Sequence, residues 1–183
     1  MIRRAKRRWS LLWAARFVAK WEGFLPTAYL DTIASPDVWT IGYGHTHYAG
    51  PPTVRPGMVV TEAEARRILA EDLRGSARAV DRMATELGAK LTVRQRIALI
   101  SGAFNCGPGI LEDEDVRREI RAGNWKRAGR QWEDWCHAGG VVVQGLLNRR
   151  REEAWMMTHS AQPRRHRVPA TLPRTRATHR KDR

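Results

Sequence analysis

Several things are scarce in this sequence, and each scarcity excludes something. Two cysteines, Cys106 and Cys136, stand in 183 residues. That is too few for a disulfide framework, so both are read as buried thiols. No apolar run approaches the roughly 20 residues that cross a bilayer; the longest near the start, Leu11 to Ala15, is broken by Arg16. Basic residues ahead of that short run have the outline of a secretory leader. A cut after Ala15 would, however, destroy the helix argued below, so no leader is expected. Tyr and Phe number three each against eight Trp, and rings that bulky either build a core or line a groove for a flat or sugar-like ligand. Acidic residues are missing chiefly from the ends. Residues 1–8 hold five Lys/Arg and no acid, and residues 158–183 hold eight against one Asp. The net charge of +14 therefore sits on two tails, while 9–157 carries 20 basic and 18 acidic residues. A body this close to neutral argues against a chain devoted to nucleic acid.

Three regions follow: a basic segment 1–10, a domain 11–157, and a basic tail 158–183. The tail contains three Pro and few apolar residues, a composition expected to be disordered. It is either an inert solubilising extension or an electrostatic attachment to an anionic cell-wall polymer, anionic lipid or nucleic acid.

Within the domain, Leu11, Ala15, Val18 and Glu22 fall on one helical stripe, and Gly23 supplies a stop. Glu22 thus ends a helix on its inward face. Residues 38–46, VWTIGYGHT, alternate like a short strand entering a Gly-rich turn, which predicts a small hairpin sheet. Helical pattern begins at Thr61. Thr61 with Glu64, and Thr92 with Gln95, are capping boxes ahead of apolar runs; Gly107-Pro108-Gly109 closes the second helix. Further helices fit 113–122, 124–135 and 144–157, with Gly123 and Gly139-Gly140 between them. Trp125, Trp132 and Trp135 recur near helical spacing and are read as core. The fold class is α+β: a leading helix and a small antiparallel sheet beside a helical bundle, with a cleft between them.

That cleft gives the stretch WEGFLPTAYLDTIASPDVWTIGYGHTH (21–47) a chemical meaning. Glycoside hydrolysis needs one carboxyl that arrives protonated and one that stays ionised. Glu22, at a buried helix end, suits the acid. Asp31, in a polar loop beside Thr32, suits its partner, and the Thr40 hydroxyl can hold a water.

These residues carry a resemblance. Glu22-Gly23, then Asp31, then Thr40-Ile41-Gly42-Tyr43-Gly44-His45 resemble the opening pattern of the phage-type lysozymes, glycoside hydrolase family 24. TEAEA (61–65), AFNCGPG (103–109) and GLLNRRREE (145–153) resemble three later patterns of that family, in order. The resemblance implies a lysozyme-like fold and an N-acetylmuramidase that lyses a bacterial host by cleaving the β-1,4 bond between N-acetylmuramic acid and N-acetylglucosamine in peptidoglycan. It implies Glu22 as general acid, Asp31 positioning or activating the attacking water, Thr40 helping to hold it, and inversion without a covalent intermediate. Eight residues separate Asp31 from Thr40, where shorter forms of the pattern have about five. The insertion contains Asp37, the competitor for Asp31's role. The resemblance further implies a monomer in the host cytoplasm until a holin admits it to the wall, or else a virion-associated enzyme.

Phe104, Asn105 and Thr46 are candidate substrate-binding residues, Phe104 being equally readable as core. His45 is expected to support the turn or bond near Glu22. Arg149 and Arg150 are expected to pair with acids near the active-site helix, holding Glu22 or Asp31. His45 and His47 with Cys106 or His137 lack a familiar zinc spacing, so no metal and no cofactor is expected. The competing readings are a lytic transglycosylase, which would not need Asp31, a catalytically silent wall-binding module, a nucleic-acid binder working through its tails, and a zinc amidase.

Overall fold

The computed structural model describes residues 2–32 and 36–159, with side chains from Ser10 onward. The bulk of the basic tail, 160–183, lies outside the described residues, so its expected disorder is not addressed. Helix α1 (Ile2–Glu22) starts nine residues earlier than the apolar stripe implied. Its first turns are basic rather than apolar, and the stripe becomes visible only where Ala14, Ala15 and Val18 are buried. Gly23, with φ +67°, then breaks the helix, a conformation glycine adopts without a Cβ penalty.

The chain next forms an antiparallel sheet, β1 (Leu25–Asp31), β2 (Val38–Gly42) and β3 (His45–Thr46), in that spatial order. Asp31 is the last residue of β1 rather than a loop residue, because its backbone pairs with Val38. Gly42 has φ +68°, and an added Cβ would stand 3.0 Å from that of Ala65. Glycine there serves both the turn into β3 and the close seating of the sheet on the next helix.

Helices α2 (Glu62–Asp72), α3 (Arg74–Glu86) and α4 (Val93–Cys106) follow. Thr61 and Thr92 each accept from the backbone N–H three residues on, and Glu64 and Gln95 return the bond. Such reciprocal capping satisfies two otherwise orphaned donors at each helix start. After a single 3-10 turn (Pro108–Leu111) come α5 (Glu114–Arg121), α6 (Trp125–Glu133) and α7 (Gln144–Thr158). A second hairpin, β4 (His137–Ala138) with β5 (Val141–Val142), lies before α7. The glycine pair read as a separator is its turn: Gly139 and Gly140 both have positive φ, 58° and 79°, which a two-residue hairpin loop requires.

Helix α4 is the centre of the bundle. Ile97 through Ala103 are all buried along it, as expected of a helix packed on every side; α1, α3 and α7 are among its neighbours. Trp132 is fully buried, while Trp125 and Trp135 are partly buried against the same core. The Trp132 ring crosses α4 at Gly102, where an added Cβ would lie 2.1 Å from Cζ2. No side chain fits there without moving the indole.

Candidate active site

Glu22 is half-buried, with 24% of its side chain exposed, and Arg149 of α7 holds it: Nη1 donates to Oε1 at 2.6 Å. The second oxygen, Oε2, has no hydrogen-bond partner among the described residues. Arg149 is itself fixed on all sides. Its Nε and Nη2 donate to the Ser101 hydroxyl at 3.2 and 3.1 Å, and Nη2 also reaches the Ser101 carbonyl at 3.3 Å. Its Nε lies 3.4 Å from Glu153 Oε1. A charged-group hydrogen bond on such an anchored donor fixes the plane of the Glu22 carboxylate and the direction of its other oxygen.

The strands set the other half. Directly opposed residues of an antiparallel pair share a sheet face. Tyr29 pairs with Thr40, Asp31 with Val38, and Thr40 in turn with Thr46. Tyr29, Asp31, Val38, Thr40 and Thr46 therefore occupy one face. Ile41 and His45 pair on the other, both buried, and that face packs on α2. Thr40 is buried and its Oγ donates to the Val38 carbonyl at 3.3 Å, so the hydroxyl's lone pairs remain for a water. Asp31 is half-buried, Thr46 likewise, and Asp37 is exposed before β2. Residues 33–35, in the inserted stretch between Asp31 and Thr40, lie outside the described residues.

The hydrogen bonds of His45 run to partners other than Glu22. Its Nδ1 lies 3.0 Å from both oxygens of Asp72 and its Nε2 lies 3.0 Å from the Pro52 carbonyl. Two acceptors facing two ring nitrogens call for the doubly protonated imidazolium. The Asp72 hydrogen bond raises its pKa above the usual histidine value, against the opposing effect of burial. Because the folded pKa lies above the unfolded one, near 6.5, this contribution to stability is complete below about pH 6.5 and is lost as pH rises through the folded pKa. The melting temperature of the wild type should therefore decline from about pH 6.5 upward more steeply than that of Asp72→Asn. Parallel profiles in a pH series of thermal melts would show that the pair does not titrate with folding.

Arg150 turns away from Glu22 and Asp31. Its Nη2 donates to Glu153 Oε1 at 2.9 Å and Asn105 Oδ1 at 3.2 Å, and its Nη1 lies 3.2 Å from Cys106 Sγ. Glu153 is fully buried and also accepts from Trp132 Nε1 at 2.7 Å. Burial pushes its carboxyl pKa up, and the Arg150, Trp132 and Arg149 partners pull against that. A carboxylate so enclosed survives in the core only because its lone pairs are met. Sequence reasoning passed over it, although its i−3 and i−4 spacing to two arginines was the available signal.

Phe104 and Asn105, in the last turn of α4, are both half-buried, with Phe104 packed against the core. A cavity of about 410 Å³ is lined by Asn105, Cys106, Asp134, Trp135, His137 and Leu146; it takes in Asn105 but not Phe104, Glu22, Asp31 or Thr40. Both thiols are free. Cys136 is buried as expected, but Cys106 is only half-buried, since it borders this cavity.

The chain is similar to known proteins in sequence and in fold. Residues 19–153 match the family model described as phage lysozyme. An endolysin of Bacillus phage B103 is 32% identical over 136 residues, 74% of this chain and 49% of that protein, so the chain spans about half the length of that relative. A SAR-endolysin of Bacteriophage PS119 is 33% identical over 72% of this chain and 73% of its own length. Among solved structures, the muramidase domain of SpmX from Asticaccaulis excentricus superposes with a TM-score of 0.65 at 28% identity, over 79% of this chain and 93% of that one. The helices and three-stranded sheet are thus those of a lysozyme-like α+β fold.

Proposed function

Since this chain belongs to the phage lysozyme family, we propose that it is a peptidoglycan hydrolase, an N-acetylmuramidase that cleaves the β-1,4 bond between N-acetylmuramic acid and N-acetylglucosamine. The observation that carries the reading is the held carboxyl: Glu22 at the end of α1, its Oε1 fixed by Arg149 at 2.6 Å, with Asp31 and Thr40 sharing one face of the sheet that follows it in the chain.

In the proposed reaction Glu22 enters protonated, and Oε2 gives its proton to the glycosidic oxygen as that bond breaks. A water donates hydrogen bonds to the ionised Asp31 carboxylate and to Thr40 Oγ on the opposite side of the sugar ring. As it attacks the anomeric carbon, Asp31 takes its proton. The products are a reducing sugar of inverted configuration and a free hydroxyl, and solvent exchanges the protons between turnovers. Asp31 rather than Asp37 takes this role because Asp31 shares the sheet face of Thr40, whereas Asp37 precedes β2 and is exposed. Thr46, paired with Thr40, and Phe104 and Asn105 at the end of α4 are proposed to contact substrate. Arg149 holds the acid, Arg150 acts at one remove through Glu153, and His45 supports the turn through Asp72 and the Pro52 carbonyl.

By analogy with the family, we further propose a monomer that reaches the wall from the host cytoplasm through a holin, with the basic ends contacting polyanions; a virion-borne enzyme is the alternative. No helix among the described residues is long and apolar enough to cross a membrane.

The test is mass spectrometry of muropeptides released from purified peptidoglycan by wild type and Asp31→Asn. Wild type should give reducing ends, and Asp31→Asn should release them roughly 10²–10⁴ times more slowly, the span expected for loss of a general base. Anhydro ends released equally by both proteins would replace this mechanism with that of a transglycosylase, and no release by either would leave a silent wall-binding module.

A further inference from the structure

The two basic segments are far apart in sequence but leave the domain side by side. Arg96 Nη1, in the first turn of α4, donates to the Ser10 hydroxyl of α1. Arg94 Nη1, in the same turn, donates to the carbonyl of His159 at 2.7 Å. One turn of one helix thus ties down both Ser10, at the end of the basic N-terminal segment, and His159, the last described residue, at the start of the basic tail. Residues 2–9 continue α1 beyond Ser10 as helix. Together the two segments outside 10–159 carry 13 Lys/Arg and one acid. Glu22, the last residue of α1, lies about 18 Å from Ser10 at 1.5 Å per residue.

The surface at this end is apolar as well as cationic. Leu12, Trp13, Val93 and Trp155 are large hydrophobic residues left about half exposed, between 49% and 51%. Each indole carries a cation on its face: the Arg16 guanidinium lies 5.7 Å from the Trp13 ring and that of Arg94 5.6 Å from the Trp155 ring. The His159 ring stacks on Trp155 at 4.8 Å. Between α1, α3 and α4 a cavity of about 300 Å³ opens at the same end, with Leu91 and Val93 in its lining and Arg96 beside Asp81. Positive charge alone would suit any polyanion. Aliphatic Leu12 and Val93 gain nothing from a phosphate polymer, however, while Trp flanked by Arg is the pairing favoured where hydrocarbon meets headgroups.

The geometry points to an anionic phospholipid surface as the partner of this side: α1 around Leu12 and Trp13, the α4 first turn and the α7 end form an interfacial docking face, attracted through Arg16 and Arg94 and seated through Leu12, Trp13, Val93 and Trp155. Trp13 and Leu12 precede Glu22 on α1 by about 14 and 15 Å of helical rise, and Glu22 itself is not part of the face.

The full chain is to be sedimented with phosphatidylglycerol–phosphatidylcholine vesicles and with phosphatidylcholine vesicles alone. Wild type should partition onto the anionic vesicles, salt-sensitively, and not onto the neutral ones. Leu12→Gln/Trp13→Gln/Trp155→Gln should reduce that partitioning about tenfold or more, with muropeptide release from lipid-free peptidoglycan unchanged. Trp155→Gln alone should reduce it about threefold, which serves should the triple variant melt early. Partitioning of the variants equal to wild type would assign all attraction to the tails and overturn the face. So would failure of wild type to sediment, or retention on duplex DNA or polyphosphate without retention on vesicles. Hydrolysis is read in a separate assay, so failure of the docking face and failure of the hydrolase reading are distinguishable.

Discussion

Glu22→Gln should lower muropeptide release by about 10³-fold or more while leaving the fold intact. Proton donation to a leaving oxygen contributes roughly 10²–10⁴-fold by itself, and an amide has no proton to give at this acidity. The amide carbonyl can still accept from Arg149 Nη1, the bond that now measures 2.6 Å, so the side chain keeps its orientation and the melting temperature should move little. That separation of effects is what makes the variant informative. Activity surviving in Glu22→Gln would remove the general acid from the mechanism. A matched loss of stability and activity would show instead that the ion pair is chiefly structural.

The second large effect should be on stability. Glu153→Ala should cost about 3–5 kcal/mol, the range for breaking a buried ion pair by deleting one partner. Glu153 and Arg150 are fully buried and Arg149 nearly so, and without the carboxylate two guanidiniums and the Trp132 indole lose an acceptor at 2.7–3.4 Å. For a chain of this size each kcal/mol lowers the melting temperature by about 2–4 °C, so thermal denaturation should show a drop of roughly 10 °C. A change below about 1 kcal/mol in urea titration would mean that water or a shifted side chain satisfies the arginines. Arg149 is the residue shared by this cluster and Glu22, so what activity remains at low temperature should also be reduced.

The parts of this structure legible in sequence were those that depend on near neighbours. The capping boxes at Thr61 and Thr92 announce helix starts because both partners lie within three residues. Glycine after Glu22 announces a helix end for the same reason, and alternation over 38–46 announces a strand. The apolar spacing of α1 placed Glu22 on the inward side but concealed that the helix begins at Ile2, because a basic turn carries no burial signal. What local pattern could not show was pairing across the fold. His45 was visible as a conspicuous histidine, but Asp72, 27 residues away, was one acid among many on α2. Arg149 and Arg150, adjacent in sequence, read as equivalent. A helix turns about 100° between neighbours, so one reaches Glu22 and the other Asn105 and Cys106. The β4–β5 hairpin was missed because two residues per strand leave no period to detect.

The Glu22–Arg149 contact joins positions 127 apart, and this has a consequence in time as well as space. A ribosome makes Glu22 early and the α7 segment late, so every shorter emerging chain lacks the group that aims the carboxyl. On the proposed role of Glu22, a truncated product would then be not a weak version of the finished protein but an unarmed one, and readiness would arrive in one step when the last helix closes on the first.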